Sequence, residues 1–275
     1  MMYLKIAIVF ICLISFTSVV HSQTLKSELQ KEFTYSQLEE YISPLSQAFG
    51  ANLSSGIYYS AGSHSFPHFD IGISYSSTNI PSGKFSQKDS LNSPTVFGNV
   101  IDDSSRLSGL NISDLSFPVL QFSIGIGDNT NFIVRYTNWK INKIGNAKLF
   151  GGGIKYELEN LLSISPIPMN VAILAIYQKY QIDDILEGAV FTMNIIGSKD
   201  IGIIPLGIYG GAGYLNNTTN VNKPDGSDEE SYSIDGLEEV KYQIGVSYSL
   251  MFLRLNVEYN FGQYNSFNGG IRIVL

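Results

Sequence analysis

Three observations predict an all-β fold: a transmembrane, antiparallel, up-and-down β-barrel of about 12 strands, within roughly 10 to 14. Apolar and polar residues alternate strictly through the last third of the chain, connections are short and long by turns, and an apolar leader precedes them all. Charged residues make up 15% of the sequence, against roughly 25% in a soluble domain. A low charge fraction without a long apolar helix suits a barrel that shows one face to lipid.

The leader comes first. Lys5 precedes an apolar run over 6–16, and Val20-His21-Ser22 carries modest residues where a signal peptidase reads, so residues 1–22 are expected to be a secretory signal peptide. The single cysteine, Cys12, lies inside that run. The expected mature chain therefore has no disulfide to rely on. The 17 basic and 24 acidic residues give −7, and removing Lys5 takes the net charge to about −8. That balance argues against a nucleic-acid partner.

Residues 23–50 are expected to form a separate N-terminal segment, with the barrel over 51–275. Leu38, Tyr41, Ile42 and Leu45 recur at helical spacing, with Ser36 as N-cap, Gly50 as stop and a kink at Pro44. This helix either caps the barrel mouth or plugs its lumen.

From residue 51 the period becomes two. Strands are expected over 51–60, 67–76, 117–126, 131–140, 147–158, 169–178, 189–196, 203–215, 239–250, 252–261 and 268–275. Segments near ten residues match the length a tilted membrane strand needs. Tight connections at 127–130, 197–200 and 249–252 contrast with long polar ones at 77–116 and 216–237. With the C-terminus placed on the periplasmic side, both long loops fall on the outer side. The strand count is odd, which a bacterial single-chain barrel does not allow. Either a strand near 94–100 is missing, or the 51–60 segment begins after the N-terminal region has threaded the lumen.

If the large apolar side chains face lipid, the opposite face carries His68, Asp70, Arg135, Lys155, Lys241, Arg254, Glu258 and Arg272. These are the candidate lumen or ligand residues, and their mixed signs fit either an internal polar network or a small-solute path. Glycines at Gly151, Gly152, Gly153, Gly207, Gly210, Gly211 and Gly213 are expected to relieve crowding or permit strand coiling. Tyr136, Trp139, Tyr156, Tyr177, Tyr180, Tyr209, Tyr214, Tyr242, Tyr248, Tyr259 and Tyr264 lie near strand ends, as interfacial aromatic girdles do.

No catalytic, metal or cofactor site is expected. A hydrolase would need a serine in reach of His64 or His68, but Ser63 and Ser65 adjoin His64 and would point away from it along a strand. The acidic run Asp225, Asp228, Glu229 and Glu230 lacks an ordered ligand spacing and reads as a solvated loop. With no mature cysteine and two histidines, a transition-metal site is not indicated.

The stretch Leu38-Glu39-Glu40-Tyr41-Ile42-Ser43-Pro44-Leu45, followed by Phe49-Gly50-Ala51-Asn52-Leu53-Ser54-Ser55-Gly56-Ile57-Tyr58-Tyr59, resembles the start of an uncharacterised family of exported Gram-negative outer-membrane barrels. The resemblance implies architecture and location and carries no assigned activity. In layout alone the chain is also similar to plugged barrels of the long-chain fatty acid transporter class. Asn268, Gly270, Ile273 and Leu275 resemble the C-terminal signal by which barrel proteins are recognised for assembly. The expected partners are outer-membrane lipid, the assembly machinery and a small solute. The expected function is a passive or gated channel; the rival is a non-conducting barrel that displays its loops.

Overall fold

The computed structural model describes residues 24–31, 34–87, 90–101, 106–158, 169–202, 204–222 and 231–275. The expected signal peptide with Cys12, and the acidic run at 225–230, lie outside these. Among the described residues two helices, α1 (Leu25–Glu28) and α2 (Tyr35–Leu53), precede the sheet. The barrel strands are β1 (Phe69–Asn79), β4 (Asp114–Gly125), β5 (Thr130–Ile141), β6 (Gly145–Glu157), β7 (Asn170–Ile182), β8 (Leu186–Ile201), β9 (Leu206–Asn222), β10 (Ser231–Leu250), β11 (Leu253–Phe261) and β12 (Ser266–Val274). A small hairpin of β2 (Ser86–Gln87) and β3 (Ser90–Pro94) stands apart in the β1–β4 connection.

Ten strands close on themselves, each antiparallel to its neighbours, with β1 sealing the wall between β12 and β4. The alternation predicted from sequence holds through the ladder. Along β10 and β11, Tyr242, Ile244 and Val246 face out while Lys241, Gln243, Asn256 and Glu258 are buried inside.

Three expectations change. Residues 51–60 are not a strand: Ala51 to Leu53 complete α2, and the rest runs irregularly inside the barrel. That removes the odd strand, and no barrel strand lies at 94–100, where β3 ends in its separate hairpin. The turn expected at 197–200 is ladder, since Gly197 to Asp200 all pair with β9, Gly197 and Ser198 pair with β7 as well, and the chain reverses after Ile201. Most of the 216–237 loop is also ladder, because β9 and β10 run on to Asn222 and Ser231. These strands, 17 and 20 residues long, exceed the ~9–11 residues that a bilayer-crossing strand needs.

The two barrel ends differ. At one lie Leu275, the 126–129 turn and the Met251-Phe252 turn; we call it the turn end. The other holds the long 80–113 connection and is called the loop end. The N-terminal segment enters from the loop end, where the Leu25 amide donates to the Lys143 carbonyl and the Ser108 amide to Glu28. It therefore plugs the lumen rather than capping the mouth.

Helix α2 starts two residues earlier than its spacing suggested. Thr34 is the N-cap, its hydroxyl accepting from the Gln37 amide while Gln37 Oε1 accepts from the Thr34 amide, a reciprocal capping box. Gly50 does not stop the helix; it lets the helix approach the wall, where a Cβ would lie 2.6 Å from Asn217 Oδ1. Pro44 lies inside the helix without ending it. Leu38, Tyr41, Ile42, Leu45, Phe49 and Leu53 are all buried, because a barrel surrounds the helix on every side.

Candidate functional site

The lumen has two unlike halves. Toward the loop end, Leu38 to Phe49 pack into one apolar cluster with Leu115, Phe117, Leu149, Val190 and Leu215 from the wall. Phe49 stacks between Tyr180, at 5.2 Å between ring centroids, and Phe117, at 5.5 Å. Two polar stitches cross this half: Ser46 Oγ meets Thr219 Oγ1 at 2.5 Å, and Asn217 Nδ2 donates to the Ser46 carbonyl at 2.9 Å.

Toward the turn end the wall becomes charged. Arg135, Lys155, Lys241, Arg254 and Arg272 point inward with Asp70, Glu157 and Glu258. Glu239, also from β10, turns to the loop-end rim and accepts from the Gln263 amide. Thus seven of the eight candidate lumen residues come together. His68 does not: it precedes the first ladder residue, is exposed, and pairs its Nδ1 with the Ser65 carbonyl.

Most of these cations donate to backbone carbonyls of the threading segment. Arg135 donates to the carbonyls of Leu53 at 2.6 Å and Ser55 at 3.2 Å, Lys241 to Ser54, and Arg272 to Gly56 at 3.1 Å. Lys155 donates to Ser60 at 3.2 Å and Gly62 at 2.5 Å. The first three meet the C-terminus of α2. A helix end leaves its last carbonyls without partners and carries a partial negative charge, so cations there satisfy both deficits. Gln178 and Gln121 add bonds to the Leu53 and Ile57 carbonyls.

Gly56 is the pivot. Its φ of +64° is left-handed, and a Cβ there would fall 2.2 Å from Ser74 Oγ and 2.3 Å from Asn268 Nδ2. Both constraints select glycine. Its amide donates to Glu258 Oε1 at 3.0 Å while its carbonyl accepts from Arg272.

Tyr59 organises the turn end. Arg254 and Arg272 lie 4.9 and 5.0 Å from its ring centroid, its hydroxyl donates to Asp70 at 3.3 Å, and it meets His64 Nε2 at 2.8 Å. Asp70 also pairs with Arg272 at 3.4 Å. Among the described residues Arg254 has only the Tyr59 ring as a charge partner, and its Nε is buried without a hydrogen bond. Burial, then the cationic Lys155, push the His64 imidazole below its ordinary pKa, against the opposing pull of Asp70.

Sequence reasoning missed Gly56 and Tyr59 because residues 51–60 were read as strand. It also placed Tyr180, Tyr209 and Tyr264 in the aromatic girdles, whereas all three are buried. Tyr180 and Tyr209 lie on the inward register of their strands, and Tyr264 sits in the β11–β12 connection with its hydroxyl donating to Gln47. Of the assembly-signal residues, Asn268 and Gly270 face inward, where Asn268 Nδ2 donates to Ser74 and Ser76 hydroxyls at 2.7 Å. Ile273 is half-buried on β12 and Leu275 is exposed beside Phe69.

The class of protein is thus a closed antiparallel barrel plugged from within by its own N-terminal segment. The chain belongs to the family of unknown function DUF6588, whose model matches residues 1–275. No curated protein matches it. Among solved structures it is similar to the NalP autotransporter translocator domain of Neisseria meningitidis, at 10% identity and a TM-score of 0.36, covering 83% of this chain and 92% of that one. It is also similar to the attachment invasion locus protein Ail of Yersinia pestis, at 11% identity and 0.32, covering 76% and 98%. The toluene transporter TbuX of Ralstonia pickettii gives 7% identity and 0.27, covering 90% and 98%. The barrel is read from this chain's own ladders.

Proposed function

We propose that the chain is an integral outer-membrane barrel, exported by the signal peptide at 1–22, that forms a gated passage for a small anionic solute with its N-terminal segment as gate. Its outer wall supports the membrane reading. Tyr242 and Ile244 are each 60% exposed and Phe150 66%, and apolar rings and chains continue around the barrel. In water such a surface would drive association; in lipid it is the ordinary outside of a barrel.

One observation carries the functional reading. In the turn-end lumen five cations face three carboxylates, and four of those cations are occupied by backbone carbonyls of the threading segment. When the segment moves aside, those cations line the passage and favour anions. The filled lumen favours a gate over a permanently open pore.

The test is a reducible lock. Ser46→Cys/Thr219→Cys replaces a 2.5 Å contact between α2 and β9, and the mature chain has no competing thiol. In planar bilayers the reduced protein is expected to show anion-selective openings that oxidation abolishes. Silence of the reduced variant, the wild type and a chain lacking residues 24–62 would leave the loop-displaying, non-conducting barrel as the better reading.

A further inference from the structure

On the outer wall near the loop end, β5, β6 and β7 share a feature that the lumen does not explain. Register places Asn138 opposite Lys148, Lys140 opposite Asn146, and Phe150 opposite Lys179. Lys140, Lys148 and Lys179 are therefore successive diagonal neighbours on one face, about 7–8 Å apart at each step. All three are exposed, and among the described residues none has an ion pair or a side-chain hydrogen bond. Every outward-facing lysine or arginine in the loop-end half of the described strands belongs to this line. In a chain of net charge −7, that is a local reversal of sign.

The lysines border a groove of about 560 Å³ in which Lys148 and Lys179 stand with Tyr136, Phe150 and Tyr177. The three rings are exposed by 48%, 66% and 49%. Glu187 is the acid in the groove; it lies opposite Gln181 and forms no salt bridge with either lysine. Nearby, Asp183 is engaged by the Asn146 amide. A charged side chain on the lipid face is costly at the bilayer centre and inexpensive only at headgroup depth. Rings below and unpaired ammonium groups above define that depth. The arrangement fits a lipid that combines several acyl chains with anionic groups spaced over a broad head.

We propose that this groove binds a phosphorylated glycolipid of the loop-side leaflet, its acyl chains against Tyr136, Phe150 and Tyr177 and its phosphates on Lys148 and Lys179, with Lys140 at the outer edge. The proposal rests on the membrane reading above and not on gating. Lysine ammonium groups contact phosphate through charge-assisted hydrogen bonds, and rows of three strands hold them at fixed spacing.

The full-length protein in detergent is offered a bis-phosphorylated, multiply acylated glucosamine disaccharide, its enzymatically dephosphorylated form, and phosphatidylglycerol; retained lipid is counted by native mass spectrometry. The phosphorylated glycolipid is expected to be retained by the wild type and to lose about 10-fold or more in affinity in Lys148→Gln/Lys179→Gln, since two charge-assisted contacts exceed the energy of one decade. Equal retention of the dephosphorylated form, or equal or better retention of phosphatidylglycerol, would overturn the proposal using wild-type protein alone. Unchanged binding by the double variant would overturn the assignment of the lysines. Retention without conductance removes the gate and leaves this site standing; conductance without retention does the reverse.

Discussion

The two halves of the lumen hold the same N-terminal segment by different physics. At the loop end a helix is seated by rings and aliphatic chains, an interaction without direction that tolerates small slides. At the turn end an irregular strand of backbone is held by named cations on named carbonyls, an interaction lost once geometry fails by about an ångström. A smaller apolar group of Ile57, Tyr58, Ile133, Leu174 and Ile176 accompanies those bonds. The difference teaches where a gate would yield. Among the described residues fourteen buried side-chain atoms lack a protein partner, including Tyr58 Oη, Gln243 Oε1, Asn256 Oδ1 and Glu258 Oε2. Apart from Asn52 Oδ1 and Asn260 Oδ1 they belong to the middle and turn end, where polar groups are ready to take water or solute as partners.

The largest test of the contrast is Phe49→Ala. Removing a ring stacked on both faces leaves a cavity that a closed barrel cannot collapse around, so a loss of about 3–5 kcal/mol is expected. Urea unfolding in detergent, followed by the heat-dependent gel shift, reads it. Hydrogen exchange should quicken throughout 38–53. A loss below about 1 kcal/mol, the scale of an ordinary surface change, would show that the apolar half does not hold the helix.

Arg135→Met is the matching lesion at the other end. It keeps much of the side-chain volume but leaves the Leu53 and Ser55 carbonyls without their cation, an expected cost of about 2–4 kcal/mol. The predicted signature is local: protection of amides 54–62 drops by about 30- to 700-fold at 1.4 kcal/mol per decade, while strand amides keep theirs. Uniform loss across the barrel would mean that Arg135 supports the wall and not the segment.

The ladder was legible in the sequence because its cause is local. One side of each strand faces outward with apolar residues and the other faces the lumen, and a period of two records that directly, so the inward set from Asp70 to Arg272 could be placed without coordinates. The threading segment was not legible for the same reason inverted. Residues 51–60 are surrounded on all sides, so no face needs to be apolar and no period is written. Ala51-Asn52-Leu53-Ser54 then imitates a strand. What decides the conformation is the set of Arg135, Lys241 and Arg272 on three distant strands, which no window of sequence brings together. Gly50 misled in the same way: beside Asn217 its missing Cβ serves close packing and not helix termination.

The smallest expected effect concerns proton binding at the turn-end mouth. His64 is 20% exposed, touches the Tyr59 hydroxyl, and lies 3.7 Å from Asp70. Its pKa is lowered first by burial and then by Lys155, with Arg254 and His68 adding to that and Asp70 opposing. A histidine whose seated pKa lies below its free value of about 6.5 binds protons more readily once released. The seat it supports is therefore complete above pH 6.5 and weakens as the pH falls from there toward the seated value, below which no further loss occurs. Protection factors of amides 57–62, corrected for intrinsic exchange, should be level between pH 8 and 7 and decline toward pH 5. In His64→Gln the decline should vanish, while His68→Gln, altered at the exposed histidine, should retain it. A decline that survives in His64→Gln would show that the imidazole is not its source.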